Sequence, residues 1–244
     1  MGRNKPPPRD SRRTAPPPLP EVDGGSWPPG VSFIGDYVWA LDVGTELRAK
    51  YAGESTRREP ASPSCCTAVR IKHITDVNHP ACGEFGLVAS GDLLQGQHIL
   101  DYLGAVSVAE DRTSDYVVDF GEHSELALDA LTVGNEARFV RSVPPLARPL
   151  ASPKALRGRQ QSWLVNSLLP SAQINDYRNT GQYANVEFKL RRGERGELRQ
   201  GVYVSDSTKY IRAGSELLIS YGKSYWKSRV GPDLDAFVYR RPGE

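Results

Sequence analysis

The sequence predicts a mostly β domain made of several short sheets, and two observations lead to this prediction. From Thr67 onward, short runs rich in β-branched and aromatic residues (TAVRIKHI, SDYVVDF, GVYVSDS) are separated by breaks rich in Gly, Asp and Ser, often 8–15 residues apart. These runs do not alternate regularly with helical segments, so the sequence does not indicate a βαβ array. Several glycines lie where hairpins or bulges require a positive φ: Gly83, Gly91, Gly96, Gly104 and Gly214.

The segments that flank this domain differ from it in composition. Residues 1–30 are rich in Pro and basic residues, so we expect a disordered tail, although its PPPLP also suits a polyproline-binding groove. Residues 31–64 are predicted as a short helical segment, from the apolar spacing over Ser32–Tyr51, and a linker from Gly53 onward. The polar tail, 227–244, is expected to pack locally or to fray.

Composition restricts the class of protein. The 244 residues carry a formal net charge of +2, an excess too small to indicate a nucleic-acid surface. The three cysteines (Cys65, Cys66, Cys82) include no C-x-x-C pair and the four histidines no i, i+4 pair, so the sequence predicts neither a disulfide framework nor a metal site. No window resembles a membrane span, and the N-terminus lacks the apolar core of a secretion signal. We therefore expect a reduced intracellular protein.

Four segments carry motifs in a fixed order. They are HPACGEFGLVASGDLLQGQHILDYLGAV (79–106), SDYVVDF (114–120), LDALTVGNEARFV (128–140) resumed by INDYRNTGQYANVEF (174–188), and GSELLISYGKSYW (214–226). Each is weak alone, since short glycine turns and Tyr-Gly pairs are common. Together, over Thr67–Trp226, they resemble the SET domain of protein lysine methyltransferases, most nearly SET proteins of fungal type.

The resemblance lies in particular motifs. GEFGLVA is similar to the family's G-x-G-L-F-A with one extra residue between the glycines, DYVVDF to Y-L-F-x-L, LDALTVGNEARF to I-D-A-x-x-x-G-N-x-A-R-F, and GSELLISYG to G-E-E-L-T-F-D-Y-G. The chain departs from the family at Ala105, where Glu is usual, and at Asp176, where His is usual. Ile219 replaces a Phe or Tyr that influences how many methyl groups fit, so the degree of methylation stays open. The zinc-binding cysteines that flank many SET domains are missing.

The resemblance implies a fold of several short β-sheets with a knot-like crossing, and it implies a chemistry. The methyl donor would be S-adenosylmethionine and the acceptor a lysine of a histone or another protein, in the nucleus or the cytoplasm. Tyr221 would be the catalytic tyrosine and Tyr116 a second tyrosine of the lysine channel, although tyrosines in β domains are more often core residues. The implied cofactor contacts are Glu84, Phe85, Gly86, Arg138, Phe139, Asn175, Asp176, Tyr225 and Trp226.

A change of composition interrupts the third motif. Residues Arg141–Gln173 are rich in Pro, Arg, Ser, Leu and Ala and contain no Asp or Glu. Deleting the 34 residues 140–173 joins Phe139 to Ile174, restores the family's A-R-F-I-N and shortens Thr67–Trp226 from 160 to 126 residues. A valine codon begins with GT and a glutamine codon can end in AG after a pyrimidine-rich run, as at the two ends of an intron.

We interpret residues 140–173 as a retained intron translated in frame. The alternative is a genuine basic surface loop, which is tolerable because loop entropy grows slowly with length. In either case the insert lies at the implied crossing beside the cofactor, so we expect it to impair activity. A second function also stays open: a catalytically inactive SET module that acts as an interaction scaffold, which the departures at Ala105, Asp176 and Ile219 favour and the retained Tyr221 disfavours.

Overall fold

A computed structural model describes residues 18–53, 64–77, 79, 81–108, 114–140 and 183–220 of the chain. In these ranges the chain forms fourteen short strands, one α-helix and one 3₁₀ helix. The predicted mostly β fold with several short sheets is confirmed, because the strands form five sheets of two to four strands. The predicted knot-like crossing, most of the 140–173 insert and the tail 227–244 lie outside the described residues.

The strands are short throughout. In chain order they are β1 (Val22–Asp23), β2 (Ser32–Phe33), β3 (Val38–Trp39), β4 (Val69–His73), β5 (Phe85–Ala89), β6 (Leu93–Leu94), β7 (His98–Asp101), β8 (Ala105–Ser107), β9 (Val117–Phe120), β10 (Leu126–Asp129), β11 (Val133–Gly134), β12 (Val186–Arg192), β13 (Leu198–Val204) and β14 (Tyr210–Ile211). The helix α1 spans Thr45–Ala52, and the 3₁₀ helix spans Glu136–Phe139.

The sheets bring together strands that are distant in sequence. Three larger sheets have the orders β1-β4-β5, β3-β8-β10-β9 and β12-β13-β7, and two pairs are β11-β2 and β14-β6. Antiparallel β4 and β5 place Ile71 opposite Leu87, and both side chains are fully buried. Because Val69 and Ile71 are buried while Arg70 between them is exposed, β4 has the period-two alternation of a half-buried strand.

The predicted helical segment is shorter than its apolar spacing suggests. Only Thr45–Ala52 is helical, whereas Ser32–Phe33 and Val38–Trp39 form strands β2 and β3. Pairing explains the difference: β2 lies parallel to β11 and β3 lies parallel to β8, so the apolar residues before Gly44 fill sheets instead of a helix face. Gly44 precedes the helix in an extended conformation, with ψ of 152°.

Two predicted boundaries require correction. Residues 18–30 were expected in a disordered tail, but Trp27 packs edge-to-face on Phe33 and Phe139, at centroid distances of 5.2 and 5.7 Å. Tyr51 belongs to the same core, so residues 18–53 are part of the domain that the motifs placed from Thr67 onward. Ordering this segment costs conformational entropy, which a Pro-rich composition with few apolar residues does not offset. Burial of the large Trp27 side chain supplies the stabilisation that offsets it. Residues 1–17 lie outside the described residues.

The predicted glycine turns are correct at three of five positions. Gly83, Gly96 and Gly214 have positive φ, whereas Gly91 and Gly104 do not. Gly104 serves a different purpose, because a Cβ there would lie 2.4 Å from the carbonyl oxygen of Asp129. This close approach of two backbones allows the chain to pass from β7 to β8 beside β10.

No metal site or membrane span is found in the ranges described above. Their single helix lacks the length and apolarity needed to cross a membrane. Within the same ranges, no group of three or more His, Cys, Asp or Glu side chains could hold a metal ion. The three cysteines are free thiols.

Candidate active site

The 3₁₀ helix of the GNEARF motif is anchored by Asn135, the residue that precedes it. The Asn135 side chain is 8% exposed, its Oδ1 accepts from the backbone N of Leu103 at 3.2 Å, and its Nδ2 donates to the backbone O of Asp101 at 2.9 Å. The carboxamide therefore pairs with one backbone N–H and one backbone carbonyl group at the end of β7, as the backbone of a neighbouring strand would. Sequence analysis quoted Asn135 within the motif but gave it no role.

Arg138 lies inside the turn and supports Tyr116. Its Nε donates to the carbonyl oxygen of Ala130 at 3.1 Å, and Nη2 donates to that of Leu131 at 3.4 Å. The guanidinium carbon lies 4.3 Å from the centroid of the Tyr116 ring, within cation–π range. Two predicted site residues are thus in direct contact.

The backbone of Tyr116 is held as firmly as its ring. Its carbonyl oxygen accepts from the hydroxyl of Tyr102 at 2.8 Å and from the backbone N of Ala130 at 3.2 Å. Its backbone N donates to Oγ of Ser114 at 3.1 Å. The backbone of the half-buried Tyr116 is therefore fixed through both its N–H and its carbonyl group.

Phe139 and Phe85 form a second contact between predicted site residues. Their ring centroids are 6.4 Å apart with an edge-to-face angle of 76°, and Phe139 is fully buried. Gly25 approaches the same ring so closely that a Cβ would lie 2.5 Å from Cζ of Phe85. The GEFG turn, the 3₁₀ helix and the N-terminal segment therefore meet at these rings.

The GEFG turn leads into β5 and is tied to the end of β4. Gly83 donates its N–H to the carbonyl oxygen of Ile74 at 2.8 Å, and the carbonyl oxygen of Glu84 accepts from the N of Ile74 at 2.7 Å. Gly86 stands opposite Lys72 in the β4–β5 pairing. Gly83 has φ of +93°, and a Cβ there would meet no atom within 4 Å, so open space lies beside the turn.

The GSELLIS segment runs along β5 on its other side. The backbone N of Leu217 donates to the carbonyl oxygen of Leu87 at 2.8 Å, and Ala89 donates to that of Ser215 at 2.9 Å. Glu216 stands opposite Val88 in an antiparallel bridge. The described part of this segment ends at Ser220, the residue before Tyr221.

Asn185 ties the end of the displaced half-motif to the same segment. Its Nδ2 donates to the carbonyl oxygen of Glu216 at 2.8 Å, and its Oδ1 accepts from the N of Leu218 at 2.8 Å. The backbone N of Asn185 and that of Val186 both donate to the carbonyl oxygen of Leu218. Sequence analysis also gave Asn185 no role.

Glu136 is a buried acid within the 3₁₀ helix. Its side chain is 3% exposed, and its Oε1 accepts from the backbone N of Cys66 at 2.8 Å. Burial raises the pKa of Glu136, because a charged carboxylate is poorly solvated there. The acid borders a groove of about 500 Å³ that Cys66 and Arg70 also line. The turn is therefore fastened to the segment that enters β4.

Of the predicted site residues, Tyr116, Glu84, Phe85, Gly86, Arg138 and Phe139 lie in the described ranges. Two pairs of them are in contact, Tyr116 with Arg138 and Phe85 with Phe139. The remaining predicted site residues lie outside the described ranges: Asn175, Asp176, Tyr221, Tyr225 and Trp226.

Comparisons with known proteins give matches among solved structures. No protein-family model and no curated protein sequence matches the chain. ATXR5 in complex with histone H3.1 mono-methylated on R26 is similar with 14% identity and a TM-score of 0.44, over 79% of this chain and 81% of that one.

Two further solved structures are matched over a smaller part of their length. Chaetomium thermophilum PRC2 in complex with H3K27me3 and H3K27M is similar with 18% identity and a TM-score of 0.38, over 65% of this chain. KRYPTONITE in complex with mCHH DNA, an H3(1–15) peptide and SAH is similar with 14% identity and a TM-score of 0.36, over 64% of this chain. The chain spans 15% of the length of the PRC2 chain and 23% of that of KRYPTONITE.

Proposed function

We propose that this chain is a SET-type protein lysine methyltransferase, which transfers a methyl group from S-adenosylmethionine to the ε-amine of a protein lysine. One observation supports the proposal above the others: parts of all four motifs are neighbours in the fold. The GEFG turn contacts the 3₁₀ helix through Phe85 and Phe139, and the 3₁₀ helix contacts the second motif through Arg138 and Tyr116. The fourth motif pairs with β5 and leads into Tyr221.

The reaction makes three demands on the protein. When bound, S-adenosylmethionine supplies an electrophilic methyl group on its sulfonium. The protein must align the lysine amine with that methyl group, present the amine unprotonated and exclude water around it. A channel with aromatic walls disfavours the ammonium form by desolvation, and hydroxyl or carbonyl oxygens orient the amine lone pair.

Tyr116 and Tyr221 are assigned to these tasks. Tyr116 has the fixed backbone and the cation-supported ring that a channel wall needs. Tyr221 would direct its hydroxyl oxygen toward the reacting groups. The main chain of Glu84–Gly86, with Arg138, Phe139, Asn175 and Asp176, would hold the cofactor, and Tyr225 and Trp226 would stack against the adenine or the lysine stem.

The substrate is proposed as a lysine in a histone or another protein, inside the cell. The net charge of +2 gives no electrostatic preference for a strongly charged substrate. ATXR5 and KRYPTONITE are both seen with histone H3 or its peptide, which is compatible with a histone substrate here.

A catalytically inactive scaffold is the second candidate, and two packing observations favour it. Ala105, at the usual glutamate position, is a strand residue of β8 between Val38 and Asp129. Ile219 is 2% exposed and bridges to Val186, so it serves the core. Neither side chain carries a polar group that could take part in methyl transfer.

A methyl-transfer assay separates the two candidates. The full chain is incubated with S-adenosylmethionine labelled on its methyl group and with core histones or a lysine-peptide library. We expect transfer to lysine, and we expect Tyr221→Phe to reduce kcat by about 100-fold, the lower end of what a positioned catalytic group contributes. Tyr183→Phe, at a side chain that is 75% exposed, is the matched control and should leave kcat unchanged. Transfer that survives Tyr221→Phe at full rate would remove this mechanism, and no transfer to any lysine would favour the scaffold.

A further inference from the structure

His79 begins the turn that carries the predicted cofactor contacts. Its Nδ1 accepts from the backbone N of Ala81 at 3.1 Å, and its carbonyl oxygen accepts from the N of Cys82 at 3.0 Å. The next turn follows at once, since the N of Glu84 donates to the carbonyl oxygen of Ala81 at 3.0 Å. His79 therefore sets the start of the double turn that ends at the GEFG glycines.

The other ring nitrogen of His79 reaches the fourth motif. Because a neutral imidazole that accepts at Nδ1 carries its proton on Nε2, His79 donates from Nε2 to Oε2 of Glu216, at 3.1 Å. Both side chains are only 12% exposed, so water competes little for this bond. The contact joins residues 137 positions apart.

The position of Glu216 gives this contact its significance. Glu216 stands opposite Val88 on β5, and its carbonyl oxygen is held by Asn185. The backbone of the fourth motif is therefore fixed independently of His79, whereas the turn before β5 gains a side-chain tie to it.

We propose that His79 and Glu216 form a positioning pair that sets the GEFG turn against the GSELLIS segment leading to Tyr221. This inference rests on the proposed function, because it takes that turn as the cofactor contact and Tyr221 as the catalytic residue. Loss of the pair frees the turn without altering the groups around the lysine amine. The affinity for the cofactor should therefore fall, while kcat at saturating cofactor stays the same.

Three substitutions separate the His79–Glu216 hydrogen bond from the local turn. In His79→Asn the shorter side chain retains an oxygen for the N–H two residues later, as in an Asx turn, but it is too short to reach Glu216. In Glu216→Gln an acceptor oxygen remains for Nε2 of His79, whereas Glu216→Ala removes it. The matched control is His98→Asn, which breaks a histidine–carboxylate contact of 2.9 Å to Asp101 on strand β7, outside the GEFG turn.

The test measures binding of S-adenosylhomocysteine to the full chain by calorimetry, with titration to millimolar ligand. We expect His79→Asn and Glu216→Ala each to raise Kd about tenfold, as the loss of one side-chain hydrogen bond does. Glu216→Gln and His98→Asn should remain within about twofold of the unaltered chain. The double variant His79→Asn/Glu216→Ala should bind no more weakly than the weaker single variant, because both substitutions break one bond.

A second measurement does not depend on the cofactor. In hydrogen exchange of the unliganded chain, His79→Asn should speed exchange at the amides of residues 81–86 and leave those of β12 and β13 unchanged. Wild-type binding by His79→Asn, or unchanged exchange at 81–86, would overturn the inference and leave the proposed function standing. A chain that binds no S-adenosylhomocysteine contradicts the proposed function itself, and the inference fails with it.

Discussion

Arg138 is 4% exposed, and its contacts include the carbonyl oxygens of Ala130 and Leu131 and the face of the Tyr116 ring. A planar guanidinium can stack on Tyr116 and donate sideways to Ala130 and Leu131 at the same time. A lysine ammonium lacks both the plane and the fixed fork of donors. The Arg138 side chain thus connects the third motif, to which it donates hydrogen bonds, with Tyr116 of the second motif.

Arg138→Lys should therefore destabilise the fold despite its conserved charge. We expect the free energy of unfolding to fall by about 2–3 kcal/mol, because buried carbonyl acceptors lose their partners. Urea denaturation followed by tryptophan fluorescence measures it. Arg212→Lys is the control, since the exposed Arg212 stacks on Tyr210 at 5.6 Å and should change stability by less than about 0.5 kcal/mol. Equal loss in both variants would contradict the role given to Arg138.

The site residues that sequence analysis missed have distant partners. Asn135 bonds Leu103 across 32 positions, Asn185 bonds Leu218 across 33, and His79 bonds Glu216 across 137. An asparagine side chain that pairs with backbone groups as a strand would, or a histidine that bonds a residue of another motif, produces no repeating pattern in the residues around it. The motif context of the two asparagines was the available signal, and His79 offered none beyond its place before the glycine turn.

At the scale of elements, α1 is docked on the β9–β10 hairpin by Tyr51 and by Lys50, whose Nζ forms ion pairs with Glu122 and Glu125 at 3.3 Å. Tyr51 is fully buried, its hydroxyl donates to Oε1 of Glu125, and it accepts from the N of Glu122 at 3.2 Å. The hydrogen bond from Tyr51 is the main cause that lowers the pKa of Glu125 to about 2, from an ordinary 4.5. The helix thereby depends on an ionised carboxylate.

This contact predicts a pH-dependent effect of Tyr51→Phe. Because the folded pKa of Glu125 is depressed, the stabilisation is complete above about pH 4.5 and is lost as pH falls toward 2. We expect Tyr51→Phe to cost about 1–3 kcal/mol at pH 7, and the difference from the unaltered chain to shrink as pH is lowered from 4.5 to 2. Thermal unfolding across this range measures it, and a difference independent of pH would refute the coupling.

The strands and the helix were predictable to different degrees. The strands after Thr67 followed from alternation, as the buried Val69 and Ile71 of β4 illustrate. Strands β2 and β3 did not, because a two-residue strand is too short to show a period and its partners stand in β11 and β8. The site contacts needed the tertiary fold, although the motif order placed their segments correctly in sequence.

At the scale of the whole molecule, the junction at Val140 bears on the insert. Val140 is 1% exposed, and its N donates to the carbonyl oxygen of Ala137 at 2.9 Å. Without residues 140–173, Ile174 would follow Phe139 and bring another β-branched aliphatic side chain to this core position. A Val-to-Ile exchange keeps a β-branched aliphatic side chain at this position, and the core has one added methylene to accommodate.

Deletion of residues 140–173 should therefore strengthen cofactor binding. We expect calorimetry to show at least about tenfold tighter binding of S-adenosylmethionine than in the chain as given. Deletion of 141–174 is the matched control, because it removes the same number of residues and keeps Val140; it should bind like the first deletion. If both deletions bind as the full chain does, the insert does not impair the site.

The three parallel pairings of the N-terminal segment affect how the chain folds during synthesis and which residues an expressed fragment must contain. Val22 pairs with Ile71, Val38 with Ala105 and Ser32 with Val133, so during synthesis each of these strands must wait for a later partner, and β2 waits until more than half of the chain has been made. Contacts of such high order slow folding. A clone that starts at the motif boundary, near Thr67, would leave three strand edges uncovered and promote aggregation. Expression should therefore retain the residues from Pro18 onward.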